Sequence, residues 1–319
     1  MSLRGTWLRV AGVAALGALW FLLLPDYRTL GITLMVLAGW ATAWDLLGGW
    51  TGQTSLGHAA FVGLGAYTIG VTANRWDLAP WWGALLAMAL AAALSLLWGK
   101  ITFRLRGSYF VLSTIAVAEI LRLFAINQRS LTGGAVGLFI FDLHRPFGLD
   151  LFSRNVEFWF ALGYLVLVLA VAAAITHGRM GYQMRAVRED EPSAEAAGID
   201  PEAVKLRAFA VSAALTALGG CLYGVVLSAL QPQPLFELHL SVRIALVAII
   251  GGRGTLFGPL VGAALLTVAA ELFRNVFAEA NLLIYGALIV VVVLFAPHGV
   301  VGEVARRLVR RRYARSARG

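Results

Sequence analysis

Runs of mainly apolar residues recur along the whole chain with only short polar breaks between them. A run of about twenty is what a helix needs to cross a hydrocarbon layer of about 30 Å. Ten such segments are predicted, at roughly 8–24, 29–48, 52–72, 80–99, 108–126, 156–176, 207–230, 240–257, 259–277 and 281–297. Lipid offers backbone groups no partners, so only helices or a closed barrel can span it. Helix-length runs therefore predict an all-α polytopic membrane protein, with residues 1–305 as one transmembrane domain and 306–319 as a basic tail.

Composition agrees: 60% of the 319 residues are hydrophobic and 13% charged, against roughly 45–50% and about 25% in soluble domains. The net charge of +9 raises nucleic acid as a partner, but in a membrane chain basic residues first report topology. An even number of spans puts both ends on one side. That side would hold Arg4, Arg9, Lys100, Arg104, Arg106, Arg179, Arg185, Arg188, Lys205, Arg207, Arg253 and the arginines of the tail. The other would hold only Arg28, Arg75, Arg129, Arg145 and Arg154. Both termini are thus expected in the cytoplasm, the tail acting as a stop signal and no nucleic acid being bound. Residues 1–24 read as the first transmembrane helix and not a leader, because no small-x-small cleavage site precedes Pro25 and Asp26. The single cysteine, Cys221, excludes a disulfide within the chain.

Three stretches break the apolar pattern. The first is "GQTSLGHAAFVGLGAYT", residues 52–68. Gly57, Gly63 and Gly65 permit close helix approach or local unwinding, and Gln53, Ser55 and His58 carry polar atoms that must face protein or water. Interrupted membrane segments often line solute paths, which makes these six residues translocation-path candidates. Tight helix packing explains the small residues equally well, and His58 reads as a hydrogen-bonded packing residue. The other histidines are scattered, so no metal site is indicated.

The second is "GGRGTLFGPLVGA", 251–263, where Gly251, Gly252, Gly254, Gly258 and Pro259 stand too close for a continuous helix. A cytoplasm-side break is predicted. It lacks the Gly-Lys-Ser/Thr ending of a phosphate-binding loop. The third is the inner loop 177–206, in which an acid precedes proline twice, at Asp190-Glu191-Pro192 and Asp200-Pro201. That is helix-start chemistry, with Gly198 suited to end a short helix over "SAEAAGI". Two brief surface helices are expected there. Small apolar residues among charges of both signs suggest a docking surface for a cytoplasmic partner. The outer loop 127–155 is turn-rich and partly apolar, and is expected to pack over the bundle. Ionisable residues within the spans are Asp45, Glu119 with Arg122, Arg243, and Glu271 with Arg274; the two acid–arginine pairs have the spacing to neutralise themselves along one helix face.

These stretches, with "KLRAFAVSAALTALGGCLYG" after the inner loop, resemble in order and spacing the LivM/LivH type of permease subunit of branched-chain amino acid ABC importers. The likeness covers about 30–300. It implies a complex with a second related permease, two cytoplasmic ATPase subunits and an extracytoplasmic solute-binding protein, in a bacterial or archaeal cytoplasmic membrane. ATP and magnesium would bind to the ATPases, leaving this chain without cofactor or catalytic role. "AEAAGID" resembles the EAA coupling segment, although the later Leu-Pro is absent. The resemblance thereby implies an ATPase-coupling set of Glu191, Ala194, Glu195, Ala196, Gly198 and Asp200. An ion-gradient-driven carrier or channel for a small polar solute is the alternative, since such proteins share broken helices but need no coupling loop.

Overall fold

A computed structural model of the chain describes residues 3–105, 107–140, 150–276, 299–301 and 303. Apolar runs become helices wherever glycine or proline does not interrupt them. The first five long ones are α1 (Leu3–Leu23), α2 (Arg28–Gly48), α3 (His58–Trp76), α4 (Pro80–Thr102) and α5 (Ser108–Asn127). After the one-turn α6 (Arg129–Thr132) follow α7 (Arg154–His177), α8 (Arg179–Glu189), α9 (Glu191–Ala196) and α10 (Pro201–Leu227). The series closes with the short α11 (Pro232–Phe236), α12 (Leu238–Gly251) and α13 (Gly258–Val276). Nine of the predicted segments coincide with helices. The tenth, 281–297, lies outside the described residues, as do the tail, Arg106, Arg145, His144, His298 and the side chain of Arg274. Among the described residues six helices are long and apolar enough to cross a membrane: α1, α2 with the turn before it, α4, α5, α7 and α10. The α3 helix is weakened by its glycines and hydroxyls, and α12, with 14 residues, spans only about 21 Å at 1.5 Å per residue.

The end carrying the 177–206 loop also gathers the segment before α3 and the break between α12 and α13. α10 is the central element, 27 residues long and packed chiefly against α3, α4 and α2. Its crossing with α3 is a backbone-to-backbone contact. A Cβ at Gly65 would fall on the Ala217 carbonyl oxygen, one at Gly220 would fall on that of Val62, and the Cys221 thiol donates to the Gly65 carbonyl at 3.2 Å. Small residues on both helices are what allow that approach. Around Phe209 an aromatic cluster of Phe61, Trp98 and Phe103 has ring centroids 5.5–5.8 Å from it.

The inner loop departs from expectation in two ways. The predicted helix start at Asp200-Pro201 begins the long α10 instead of a second brief helix, and α8 is a further helix with no prolyl signal ahead of it. The helix over Glu191–Ala196 forms as predicted, with Gly198 in the left-handed region at φ +80° just beyond it. At the opposite end, 129–140 packs over the bundle. Strands β1 (Leu138–Phe139) and β2 (Ala229–Leu230) form a two-residue antiparallel ladder, the one departure from all-α structure among the described residues. Tyr67 donates to the Leu230 carbonyl at 2.7 Å and Asn74 to that of Phe139 at 2.7 Å.

Candidate functional site

The chain leaves helical geometry between α2 and α3, across residues 49–57. Gly48 and Gly49 weaken the end of α2, and Gly52 sits at φ +80°, where a side chain would be strained. Several polar groups freed by the break have specific partners. The Asp45 carbonyl accepts from Gly49 N and Trp50 N at 2.8 and 2.9 Å, and the Leu47 carbonyl accepts from Thr51 Oγ1 at 2.7 Å. Trp44 Nε1 donates to the Ser55 carbonyl at 2.7 Å. From other helices, Thr114 Oγ1 accepts from Leu56 N at 2.9 Å, and Ser241 Oγ accepts from Ala59 N at 2.8 Å.

His58 opens α3 at the middle of this arrangement. Its ring is fully buried, with Nε2 2.9 Å from Ser212 Oγ and Nδ1 3.3 Å from Ser55 Oγ. Trp44, Phe61 and Phe209 surround it. The imidazole therefore ties α3 to α10 through a direct, buried contact. Of the six path candidates, Ser55, Gly57, His58, Gly63 and Gly65 are buried and Gln53 is half-buried. Gly57 lies against the Thr114 backbone and the Trp98 ring. Gly63 faces the Phe236 ring and Gly65 the α10 backbone, both inside continuous helix. Close approach thus accounts for Gly63 and Gly65, and unwinding belongs to 49–57.

The same junction receives both other interrupted stretches. Arg188, at the end of α8, donates from its guanidinium to the Gly49 carbonyl at 2.7 Å and packs against Gly52. Gln53 Nε2 reaches Glu191 Oε1 at 3.4 Å, and Glu191 is ion-paired with Lys205 at the start of α10. From the second glycine break, Gly254 N donates to both carboxylate oxygens of Asp45 at 3.0 Å. A Cβ at Gly254, which has φ +70°, would also press on the Arg188 guanidinium. Gly251 lies against the Gly258 carbonyl, so α12 and α13 leave the break in direct backbone contact, with Pro259 in the first turn of α13.

The predicted coupling residues divide by position. Ala194 is buried and anchors α9, whereas Glu195, Ala196 and Gly198 are exposed. Asp200 Oδ1 accepts from Ala203 N at 3.1 Å and caps α10. Between α8 and α9 lies a concavity of about 520 Å³ lined in part by Tyr182, Gln183, Glu189, Ser193 and Gly198. The carriers of the junction that sequence reading missed are Arg188, Lys205, Ser212, Thr114 and Ser241. Of these, Ser212 and Ser241 carry no local signal. Arg188 stands four residues before Pro192 in a charged run and reads there as one more topological cation.

Sequence comparison bears on what this arrangement serves. A family profile described as "Branched-chain amino acid transport system / permease component" matches residues 27–293. The chain is 30% identical to the high-affinity branched-chain amino acid transport system permease protein LivM of Escherichia coli K12 over 275 residues, 79% of this chain and 64% of that protein. It is 30% identical to the LivH permease protein of Salmonella typhimurium over 156 residues, 48% of this chain and 50% of that one. A probable LivM permease protein of Methanocaldococcus jannaschii is 21% identical over 236 residues, 69% of this chain and 68% of that one. The chain thus spans somewhat less than two thirds of the length of the first of these relatives. No solved structure matches. With the profile covering most of the chain, including the glycine-broken junction and the loop bonded to it, this protein belongs to the family of branched-chain amino acid transport permease components.

Proposed function

We propose that this chain is a transmembrane permease subunit of an ATP-driven importer. It would form, with a second related permease, the path for branched-chain or similar amino acids delivered by an extracytoplasmic binding protein. Two cytoplasmic ATPase subunits would bind ATP and magnesium and dock on α8 and α9, which puts the 177–206 loop and both termini in the cytoplasm of a bacterial or archaeal cell. The observation that carries the reading is the direct bonding of the loop to the interrupted helices, Arg188 to Gly49 and Glu191 to Gln53, at a junction where Gly254 also holds Asp45.

A push on α9 reaches 49–57 without passing through a flexible linker, and 49–57 sets the position of α3. The exposed Glu195, Ala196 and Gly198 are the docking face; the junction behind them is the transmission. Gln53, Ser55, Gly57, His58, Gly63 and Gly65 then shape the path from behind, by fixing where α3 stands against α10. A gradient-driven carrier has no use for a loop so joined. Purification from the native membrane in mild detergent, with identification of co-eluting chains by mass, is the test. Two ATPase subunits and a second permease are expected. A folded chain that elutes alone would sink the importer reading and favour the carrier.

A further inference from the structure

The Glu119–Arg122 pair on α5 is bonded as its spacing predicts, Arg122 Nε donating to Glu119 Oε2 at 2.8 Å. It does not stop there. Arg122 also donates to Gln233 Oε1 of α11 at 2.7 Å, and the field of Glu237 reaches the same guanidinium. Yet this bonded pair is open on one side: the Glu119 side chain is 49% exposed and that of Arg122 19%. Gln231, Gln233, Glu237 and His239 beside it are exposed as well.

Depth makes this placement informative. Glu119 lies eight residues inside the end of α5, about 12 Å at 1.5 Å per residue. Independently, α12 is too short to span the bilayer, so the 231–239 segment that leads into it is set below the membrane surface. Carboxylates and guanidiniums in a span face the protein interior or a water-filled cavity, because hydrocarbon leaves them unsolvated. The buried stripe of α5, Phe110, Thr114, Ala118 and Ala125, already packs on the bundle. The half-exposed Glu119 carboxylate therefore needs water or a polar group from outside this chain, although Leu112 and Leu123 on the same side of α5 are exposed and apolar.

We propose that Glu119, Arg122 and Gln233 line a water-filled solute path and make a transient contact with the charged head of a zwitterionic solute. This rests on the importer reading above. A carboxylate can replace Glu119 on the guanidinium, in the forked geometry that arginine offers, while the freed Glu119 accepts from the ammonium. The exchange leaves no charge unpaired at either stage. It also reads the part shared by all amino acids and not the aliphatic side chain, which suits a station that solutes must leave as easily as they enter.

The test uses the assembled complex in vesicles, with co-purifying ATPase certifying assembly of each variant. Glu119→Cys and Ile120→Cys, the latter replacing a neighbour that is 61% exposed, are treated with a membrane-impermeant methanethiosulfonate ammonium. Cys221 is buried, so the unsubstituted complex is the blank. We expect Glu119→Cys to react at least about tenfold faster than Ile120→Cys, as water access dictates, and added leucine with binding protein to slow that reaction. In parallel, Arg122→Gln is expected to lower the maximal rate of leucine uptake about tenfold, the worth of one charge-assisted bond, with Arg122→Lys recovering part of it. A position 119 that reacts no faster than 120, or that leucine leaves unprotected, overturns the inference, as does normal uptake by Arg122→Gln. Absence of ATP-dependent uptake by the unsubstituted complex would instead overturn the importer reading.

Discussion

A buried histidine held between two serines and ringed by aromatic side chains works as a fastener between helices. Removing the His58 ring takes the bonded partner from the Ser212 hydroxyl and leaves that of Ser55 only Gly57 N, and an unsatisfied buried polar group costs about 1–3 kcal/mol. His58→Leu is therefore expected to lower the thermal unfolding midpoint in detergent, while His58→Asn, which can still bond one serine, loses less; equal midpoints for the two would show that the hydrogen bonds carry little. The glycines of α3 separate in a comparable way. At Gly65 the obstacle is the α10 backbone, and at Gly63 it is the ring of Phe236, which can rotate. Gly65→Ala should therefore destabilise by about 1–3 kcal/mol, as overpacking does, and Gly63→Ala by less. Gly63→Leu, with no room for the longer side chain, should block assembly. Melting curves and recovery of the complex give the ranking, and the reverse order would mean that α3 and α10 cross differently.

At the scale of elements, the informative object is the joint formed by the end of α2, the end of α8 and the break before α13. Arg188 touches two of its strands at once, through the Gly49 carbonyl and the edge of Gly254. Arg188→Ala should leave the complex assembled and ATP hydrolysis at least at its original rate, while uptake per ATP falls several-fold, about what a bond from a charged donor is worth. Unchanged uptake per ATP in Arg188→Ala would remove it from the transmission. The sequence announced each strand of this joint separately, by its glycines or by acids before proline, because those signals are local. What it could not announce is that Asp45 holds Gly254, two residues more than two hundred positions apart. An intramembrane aspartate reads as a pathway group until its partner is known. The helix α8 went unread for a similar reason: its residues are mostly polar, so no apolar run marks it, and its buried Gly181, Met184 and Val187 matter only against the bundle.

For the molecule as a whole, the order of membrane helices was legible because the apolar runs are long and bilayer thickness sets their length. The weak points were also visible, since the segment at 52–72 and the break near 251–259 are the ones that glycine interrupts. Lateral arrangement was not legible. Nothing local places α10 at the centre or brings Gln233 beside Arg122, which depends on how helices pair. The short α12 has one more consequence. If water reaches both of its ends, the low-dielectric layer beside it would be about two thirds as thick as a full span, and a charge moving one helical turn there would cross a correspondingly larger fraction of the membrane voltage.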